Sequence, residues 1–248
     1  MSNTTQFLSE LTHEERNVRL RAAMVLATTH EPEVTDALVT RLTVEKDFHV
    51  LEDVTWAVVQ HGARAVPAVL RLLGAEEAVV RRQAAHVLSK LPDKAHAPHL
   101  HGVIADADPD VAIKAYRAAA NTGAPEVVPS LAARLGDGDQ LQRDQLSVAF
   151  AKLGTVGVPE LVAALASADA GVRLHAAEAL AQVGDVADDA AAALRSAATD
   201  PDPEVRLAAV MALGALSPEV GDAELRELAS SDDAQVSAVA KNLLAGRG

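Results

Sequence analysis

Histidine is the residue type whose grouping in this sequence most directly suggests chemistry. Three of the nine histidines fall close together, at His96, His99 and His101. Imidazole nitrogens are common ligands of divalent transition metals, so this stretch could hold a metal ion. Pro98, however, indicates the start of a helix, and positions two apart on a helix cannot face the same ligand. A solvated, His-rich turn is the favoured interpretation, and these three histidines are the candidate metal ligands if the stretch does bind an ion.

The sequence motifs of well-known catalytic sites do not occur in the chain. There is no glycine-rich phosphate loop, no G-x-S-x-G nucleophile turn and no H-E-x-x-H helix. The absence of cysteine excludes disulfides, thiolate metal sites and cysteine nucleophiles. We therefore predict a protein that is not an enzyme and that uses no cofactor.

The charge of the chain restricts its partners. The 248 residues include 22 Lys and Arg against 35 Asp and Glu, a net charge of −13, which disfavours nucleic acid and anionic lipid. Residues 1–124 hold 13 basic and 16 acidic side chains and residues 125–248 hold 9 and 19, so an anion-binding surface should lie in the first half. No uninterrupted apolar run approaches the roughly 18 residues of a membrane helix, and no signal segment begins the chain. We expect a cytoplasmic protein without a membrane or nucleic-acid partner.

A repeat of about 31 residues organises the whole chain. We number each copy from an anchor, the residue that stands before an arginine in five of the copies. The anchor occurs eight times: Val18, Val50, Val80, Val111, Gln142, Val172, Val205 and Val236. Apolar residues recur four and eight positions after the anchor, and glycine recurs at twelve, as Gly62, Gly123, Gly154 and Gly184. This spacing predicts a helix with one buried stripe that ends at the glycine. A second amphipathic stretch precedes each anchor, so each repeat should be a pair of helices.

Helix pairs of this size cannot bury their apolar faces alone and must stack on neighbouring pairs. The sequence therefore predicts an all-α fold, an α-α superhelix of about eight two-helix repeats in a single domain over residues 1–248. The expected repeats are 4–30, 31–62, 63–92, 93–123, 124–154, 155–184, 185–217 and 218–248.

The repeat pattern Asp-x-Asp-Pro-x-Val-Arg-x-x-Ala-x-x-x-Leu, seen in full at 200–213, resembles HEAT repeats. The short, alanine-rich form is similar to the HEAT-like repeats of phycobilisome lyases. The resemblance implies a ladder of ion pairs between the arginine after the anchor and an aspartate of the preceding turn, such as Asp169 or Asp202. The ladder arginines would be Arg19, Arg81, Arg143, Arg173 and Arg206. Leu51, Ala112 and Ser237 take that position in three other repeats, where the ladder should be interrupted.

The resemblance also implies that the second helix of each repeat lines a concave side. Positions three, six and ten after the anchor should then project from the core. In repeats two to five these positions hold polar and basic residues and the sole tryptophan: Asp53, Trp56, Gln60, His86, Lys90, Lys114, Arg117, Asn121 and Lys152. Exposed Trp and Arg are enriched where proteins bind partners. We interpret the set as a groove for an acidic or extended protein segment, or for an anionic small molecule. In the alternative, Trp56 is tucked under a neighbouring helix and the lysines form an ordinary solvated face.

We predict a protein-binding scaffold or adaptor, monomeric or weakly dimeric, that recognises a macromolecular partner through this groove. The resemblance leaves two alternatives open, a bilin-lyase-like chaperone and an alkylpurine DNA glycosylase-like enzyme with Asp53 and Trp56 on one helix. HEAT-like deoxyhypusine hydroxylases hold two irons with His-Glu pairs at matching positions of successive helices. Here His13-Glu14 and His30-Glu31 lie at unequal positions of a single repeat, so that activity is not expected.

Overall fold

The computed structural model describes residues 3–246, and these residues form sixteen α-helices and no strand. The all-α prediction is therefore confirmed. The first helices of the pairs are α1 (Asn3–Glu10), α3 (Pro32–Val44), α5 (Val66–Leu72), α7 (Ala97–Ile104), α9 (Val128–Ala132), α11 (Val158–Ala164), α13 (Ala191–Ala197) and α15 (Pro218–Leu228). The second helices are α2 (Arg16–Leu26), α4 (Phe48–His61), α6 (Ala78–Lys90), α8 (Pro109–Thr122), α10 (Gln140–Leu153), α12 (Ala170–Val183), α14 (Pro203–Ala215) and α16 (Ala234–Ala245).

The apolar stripe of the repeat forms the core. Four positions after the anchor, every side chain is buried: Ala22, Val54, Ala84, Ala115, Leu146, Ala176, Ala209 and Ala240. Most of these residues are alanine, which adds little width and lets neighbouring helices approach closely. Tyr116 and Phe150 are the two buried aromatic side chains among the described residues.

Both ends of the second helices follow from their local sequence. Asp47, Asp139, Asp169, Asp202 and Asp233 cap helix N-termini by accepting hydrogen bonds from backbone N–H groups of the first turn. At the other end, the recurring glycines have positive φ: 57° at Gly62, 61° at Gly123, 60° at Gly154 and 75° at Gly184. Residues with a Cβ rarely adopt this conformation, so the glycines terminate the helices where the repeat predicts.

Contacts within the chain group it into two compact units, Met1–Ala118 and Ala119–Gly248, with the boundary inside α8. In the first unit α2 packs against α4 and α4 against α6. In the second unit α10, α12, α14 and α16 pack against one another in order. Each unit therefore presents a row of second helices, and the single domain over 1–248 stays a prediction.

One stretch of the second unit has the length and composition of a membrane-spanning helix. The segment Gln140–Ala164 reaches a mean hydropathy of 1.4, and 44% of that window is buried inside the protein. It is not one continuous helix, because Gly154 has a φ of 60° and a 3₁₀ turn separates α10 from α11. Both helices pack against α12, α11 as its partner in the same repeat and α10 as the second helix of the preceding repeat.

The arginine ladder forms at four of the five predicted arginines, and these four reach the following repeat rather than the preceding turn. The pairs are Arg19–Glu45 at 2.9 Å, Arg81–Asp106 at 2.7 Å, Arg173–Asp200 at 2.8 Å and Arg206–Asp233 at 2.9 Å. The predicted direction was wrong: Arg173 and Arg206 form no ion pair with Asp169 and Asp202, the aspartates that cap their own helices, but with Asp200 and Asp233. The arginine instead donates to carbonyls of its own turn, as Arg173 does to Ser167 at 2.9 Å, and its remaining nitrogens reach forward.

Arg143 is the ladder arginine that lacks an acid. In the Arg19, Arg81 and Arg173 pairs, the acid lies five positions before the next anchor, and for Arg143 that position is Ser167. Arg143 donates to the Gly138 carbonyl at 2.7 Å and to Gln140 Oε1 at 3.0 Å, and it forms no ion pair with any residue in the described part of the chain. The predicted ladder therefore has an additional interruption at Arg143.

Candidate functional site

The nine residues predicted to form a groove all lie on second helices, but they belong to both units. Seven lie in the first unit: Asp53, Trp56 and Gln60 on α4, His86 and Lys90 on α6, and Lys114 and Arg117 on α8. The other two, Asn121 on α8 and Lys152 on α10, lie in the second unit. The structure thus assigns seven of the nine residues to the second-helix face of the first unit.

Helix α4 presents an exposed stripe around the tryptophan. Glu52, Trp56 and Gln60 are exposed and follow one another at four-residue spacing, so they share one face of the helix. Asp53 beside them is half-buried. Trp56 is 50% exposed, so it is not tucked under a neighbouring helix. A large apolar ring is therefore available to a partner on this face.

His86 occupies the same repeat position as Trp56 but is buried. Only 9% of it is exposed, and neither ring nitrogen has a hydrogen-bond partner among the described residues. Glu52 of the preceding second helix lies 3.8 Å from its Nε2, and basic side chains of α6 and α8 surround it. The prediction that His86 projects into an open groove was wrong, because side chains of the adjacent repeats cover the ring.

Burial lowers the pKa of His86 to about 4, and neighbouring positive charges contribute to the same shift. These charges belong to Lys114, Lys90, Arg117 and Arg82, which we call the cationic cluster. Burial also lowers the pKa of Lys114, and Arg117 and Arg82 add to that effect by repulsion. The imidazole is therefore neutral at pH 7 and lies among cations that repel one another.

Nearby carboxylates neutralise only part of the cationic cluster. Arg82 lies 3.9 Å from Asp110, whose side chain is 68% exposed. Lys90, Lys114 and Arg117 form no ion pair or side-chain hydrogen bond with any residue that the structure describes. Lys90 and Arg117 are exposed, and Lys114 is half-buried. The surface is therefore locally positive, in the half of the chain where the charge distribution predicts an anion-binding surface.

Two residues of this surface, Glu52 and Arg82, were missed by the sequence analysis. Both lie two positions after the anchor, a position that the repeat pattern did not assign to the surface. Five other repeats place an apolar residue there: Leu20, Ile113, Leu174, Leu207 and Ala238. A charged residue at a mostly apolar position was the signal that could have identified them.

A separate groove of about 980 Å³ lies on the second helices of the second unit, formed by α10, α12 and α14. Apolar, acidic and a few basic side chains line it, among them Leu174, Leu207, Met211, Asp144, Glu178, Glu204, Arg143 and His175. Met211 is 51% exposed, and burial raises the pKa of Glu178. This groove is more acidic than the surface of the first unit, and it contains none of the nine predicted residues.

His175 in this groove has a structural role. It is 1% exposed, and burial lowers its pKa. The N–H of Gly136 donates to its Nδ1 at 3.0 Å, so Nε2 carries the proton and donates to the Arg143 carbonyl at 3.0 Å. Because both nitrogens have partners, His175 differs from His86, whose nitrogens have none.

The histidine-rich stretch does not form a metal site. His96 is buried before α7, whereas His99 and His101 are exposed on that helix. Across residues 3–246, no three His, Asp or Glu side chains are grouped so that they could hold a metal ion. Residues two apart on a helix point in different directions, which keeps His99 and His101 from converging.

Comparison with known proteins places the chain among repeat proteins. The family model for HEAT repeats matches residues 4–89, 66–151 and 158–245. No curated protein matches the chain. Kap121p bound to Pho4p is similar in structure, with 13% identity and a TM-score of 0.59, over 97% of this chain and 33% of Kap121p.

Two further solved structures are similar over nearly their whole length. The CpcE–CpcF complex of phycocyanin lyase from Nostoc sp. PCC7120 has 23% identity and a TM-score of 0.46, with coverage of 98% of this chain and 95% of that chain. Human deoxyhypusine hydroxylase in complex with glycerol has 18% identity and a TM-score of 0.43, with coverage of 97% and 94%. At 13% identity, the similarity to Kap121p extends to the fold alone.

Proposed function

Because the chain belongs to the HEAT-repeat family, we propose that it is a non-enzymatic scaffold that binds an acidic, extended segment of a partner protein. The binding surface consists of Trp56 and the cationic cluster on the second helices of the first unit. One observation carries the proposal: a half-exposed tryptophan lies on the same surface as four cations, three of which form no ion pair or side-chain hydrogen bond with a described residue.

Trp56 and the cationic cluster are close enough to contact one segment. Glu52 lies 3.8 Å from His86, at the centre of the cationic cluster, and Trp56 follows Glu52 by one helical turn. The exposed half of the indole amounts to about 100 Å² of mostly apolar surface. Covering it would contribute about 2–3 kcal/mol to binding, so an apolar side chain of the partner should pack there.

The cations add specificity more than affinity. An exposed ion pair contributes about 0.2–1 kcal/mol, so Lys90 and Arg117 together contribute about 0.4–2 kcal/mol. A dissociation constant of 1 μM corresponds to about 8 kcal/mol, which is more than the indole contact and the two ion pairs supply together. Micromolar affinity therefore requires that the backbone of the segment also contacts the surface. Binding should weaken with salt, because the Debye length shortens to about 3 Å at 1 M ionic strength.

The fold is compatible with this role. Kap121p, which has a similar fold, has been solved bound to Pho4p and to Nup53p. The acidic groove of the second unit has the opposite charge and is not part of the proposed surface.

The proposal is tested with fluorescently labelled peptides that contain glutamate, aspartate and one leucine or phenylalanine, using fluorescence anisotropy. The double variant Trp56→Ala/Arg117→Ala should weaken binding about tenfold or more, from the loss of the indole contact and one charge. The matched control is Phe48→Ala/Arg71→Ala, which removes another exposed aromatic ring and another exposed arginine from the same unit. Equal binding by the folded double variant, or equal weakening by the control, would refute the site.

A further inference from the structure

The centre of the cationic cluster is a buried histidine without a hydrogen-bond partner. His86 is 9% exposed, and its Nδ1 and Nε2 bond to no residue between 3 and 246. The Glu52 carboxylate is 3.8 Å from Nε2, which is beyond hydrogen-bond distance. Buried polar atoms in native proteins almost always have a partner, so water or a ligand must complete the hydrogen bonds of the imidazole.

The cations are arranged around this ring by the helix period. Arg82, His86 and Lys90 are spaced four residues apart on α6 and share one face, and Lys114 and Arg117 lie three apart on α8. All four cations act on His86 through space. Two carboxylates lie close to these side chains: Glu52 is 3.8 Å from His86 Nε2, and Asp110 is 3.9 Å from Arg82 Nη1. Four positive charges against these two carboxylates leave a local excess of positive charge.

We propose that His86 and the cationic cluster form a binding site for a phosphoryl group on the partner segment, an inference that rests on the proposed function. A phosphate monoester carries about −1.5 to −2 charges at pH 7 and offers three acceptor oxygens. The neutral imidazole donates its N–H to one oxygen, and Lys90, Lys114 and the two arginines supply charged donors. A carboxylate, with one charge and two oxygens, would leave part of the excess charge and most of these donors unused.

A single phosphoryl group fits this surface better than a nucleic acid does. Glu52 and Asp110 lie beside the cationic cluster, and the chain as a whole carries a net charge of −13. These charges repel the successive phosphates of a polynucleotide but leave room for one compact dianion.

The first experiment uses inorganic phosphate and the full chain. At constant ionic strength, phosphate should shift the NMR signals of the His86 ring nitrogens in a saturable way and raise the pKa of that imidazole, whereas chloride should not. Lys90→Gln/Arg117→Gln changes two exposed cations and should weaken phosphate binding about tenfold or more, since hydrogen bonds to charged groups contribute about 1.5–3 kcal/mol each. Arg64→Gln/Arg71→Gln changes two exposed arginines that lie outside the second helices of the same unit, and this variant should bind like the unmodified chain. His86 signals that do not respond to phosphate, or that respond equally in both variants, would overturn the proposal.

The second experiment separates this inference from the proposed function. One acidic peptide is compared in three forms that differ at a single position, which is phosphoserine, glutamate or serine. About tenfold or greater preference for phosphoserine supports the inference. Equal binding of the three forms overturns the phosphoryl site and leaves the proposed function standing. Phosphate binding without binding of any peptide supports the anion site and refutes the proposed function. Tighter binding of a single-stranded oligonucleotide than of the phosphopeptide would overturn the inference in favour of nucleic acid.

Discussion

Glu45 gives the sharpest quantitative prediction about how this fold is stabilised. Its side chain is 2% exposed and accepts hydrogen bonds from Arg19 Nε at 2.9 Å and from the backbone N–H of Asp47 at 2.8 Å. Arg41 donates to the same carboxylate. Burial alone would raise the pKa of Glu45, but these hydrogen bonds outweigh it and lower the pKa from 4.5 to about 2. The charged form is therefore strongly favoured by folding.

The size of the effect follows from that shift. A pKa lowered from 4.5 to about 2 corresponds to about 3 kcal/mol of stability at neutral pH. Because the folded pKa is the lower one, this contribution is complete above the unfolded pKa of 4.5 and is lost as the pH falls towards 2. Glu45→Gln mimics the protonated side chain, so it should destabilise the chain by about 3 kcal/mol at pH 7 and by less than about 1 kcal/mol near pH 2.

The assay is urea unfolding at several pH values between 7 and 2. Unfolding is followed by the fluorescence of Trp56, which lies on α4, the helix that begins shortly after Glu45. Glu33→Gln is the matched control, because Glu33 is exposed on α3 and should contribute only a few tenths of a kcal/mol through the helix dipole. A Glu45→Gln penalty that stays constant with pH, or that is no larger than the control penalty at pH 7, would refute the reasoning.

Three further results are expected. Ser167→Asp should give Arg143 the acid that the other ladder arginines have and stabilise the chain by about 1 kcal/mol in urea unfolding, and a loss of stability would contradict the ladder geometry. Gly154→Ala should cost about 1 kcal/mol or more because φ is 60°, whereas Gly102→Ala, inside α7 with open space around it, should stabilise by about 0.5–1 kcal/mol. Equal effects of the two changes would argue against a conformational cause. NMR titration should give His86 a pKa of about 4. Its folded pKa is below the unfolded value of 6.5, so stability should fall as the pH drops from 6.5 towards 4, and His86→Gln should remove that part of the pH dependence.

The helices could be predicted from the sequence because the repeat carries its own period. The spacing of apolar residues at zero, four and eight identified the second helices, and the glycine at twelve identified their ends. These features depend on residues within a single repeat. The exposure of Trp56 agrees with the helix period, although His86 at the same repeat position is buried.

The features that sequence reasoning missed depend on contacts between repeats. The ladder partner of Arg173 is Asp200, which lies 27 residues later, and its direction depends on how successive pairs are offset. His86 is buried because side chains of the neighbouring repeats, among them Glu52 and Lys114, lie close to it. No pattern within one repeat reveals this proximity. Arg82 was missed for a different reason, since its repeat position is apolar in several other copies and was not assigned to the surface.

Site-specific photo-crosslinking tests the proposed partner surface most directly. A benzophenone amino acid replaces Trp56 in one form of the chain and Phe48 in another, because both residues are exposed aromatics of α4 but Phe48 lies at its N-terminal end. After irradiation in the cells that express the protein, mass spectrometry identifies the crosslinked peptides. We predict that position 56, and not position 48, crosslinks to a segment rich in acidic or phosphorylated residues. Crosslinks to basic segments at position 56, the same crosslinks at both positions, or none at position 56 would contradict the account.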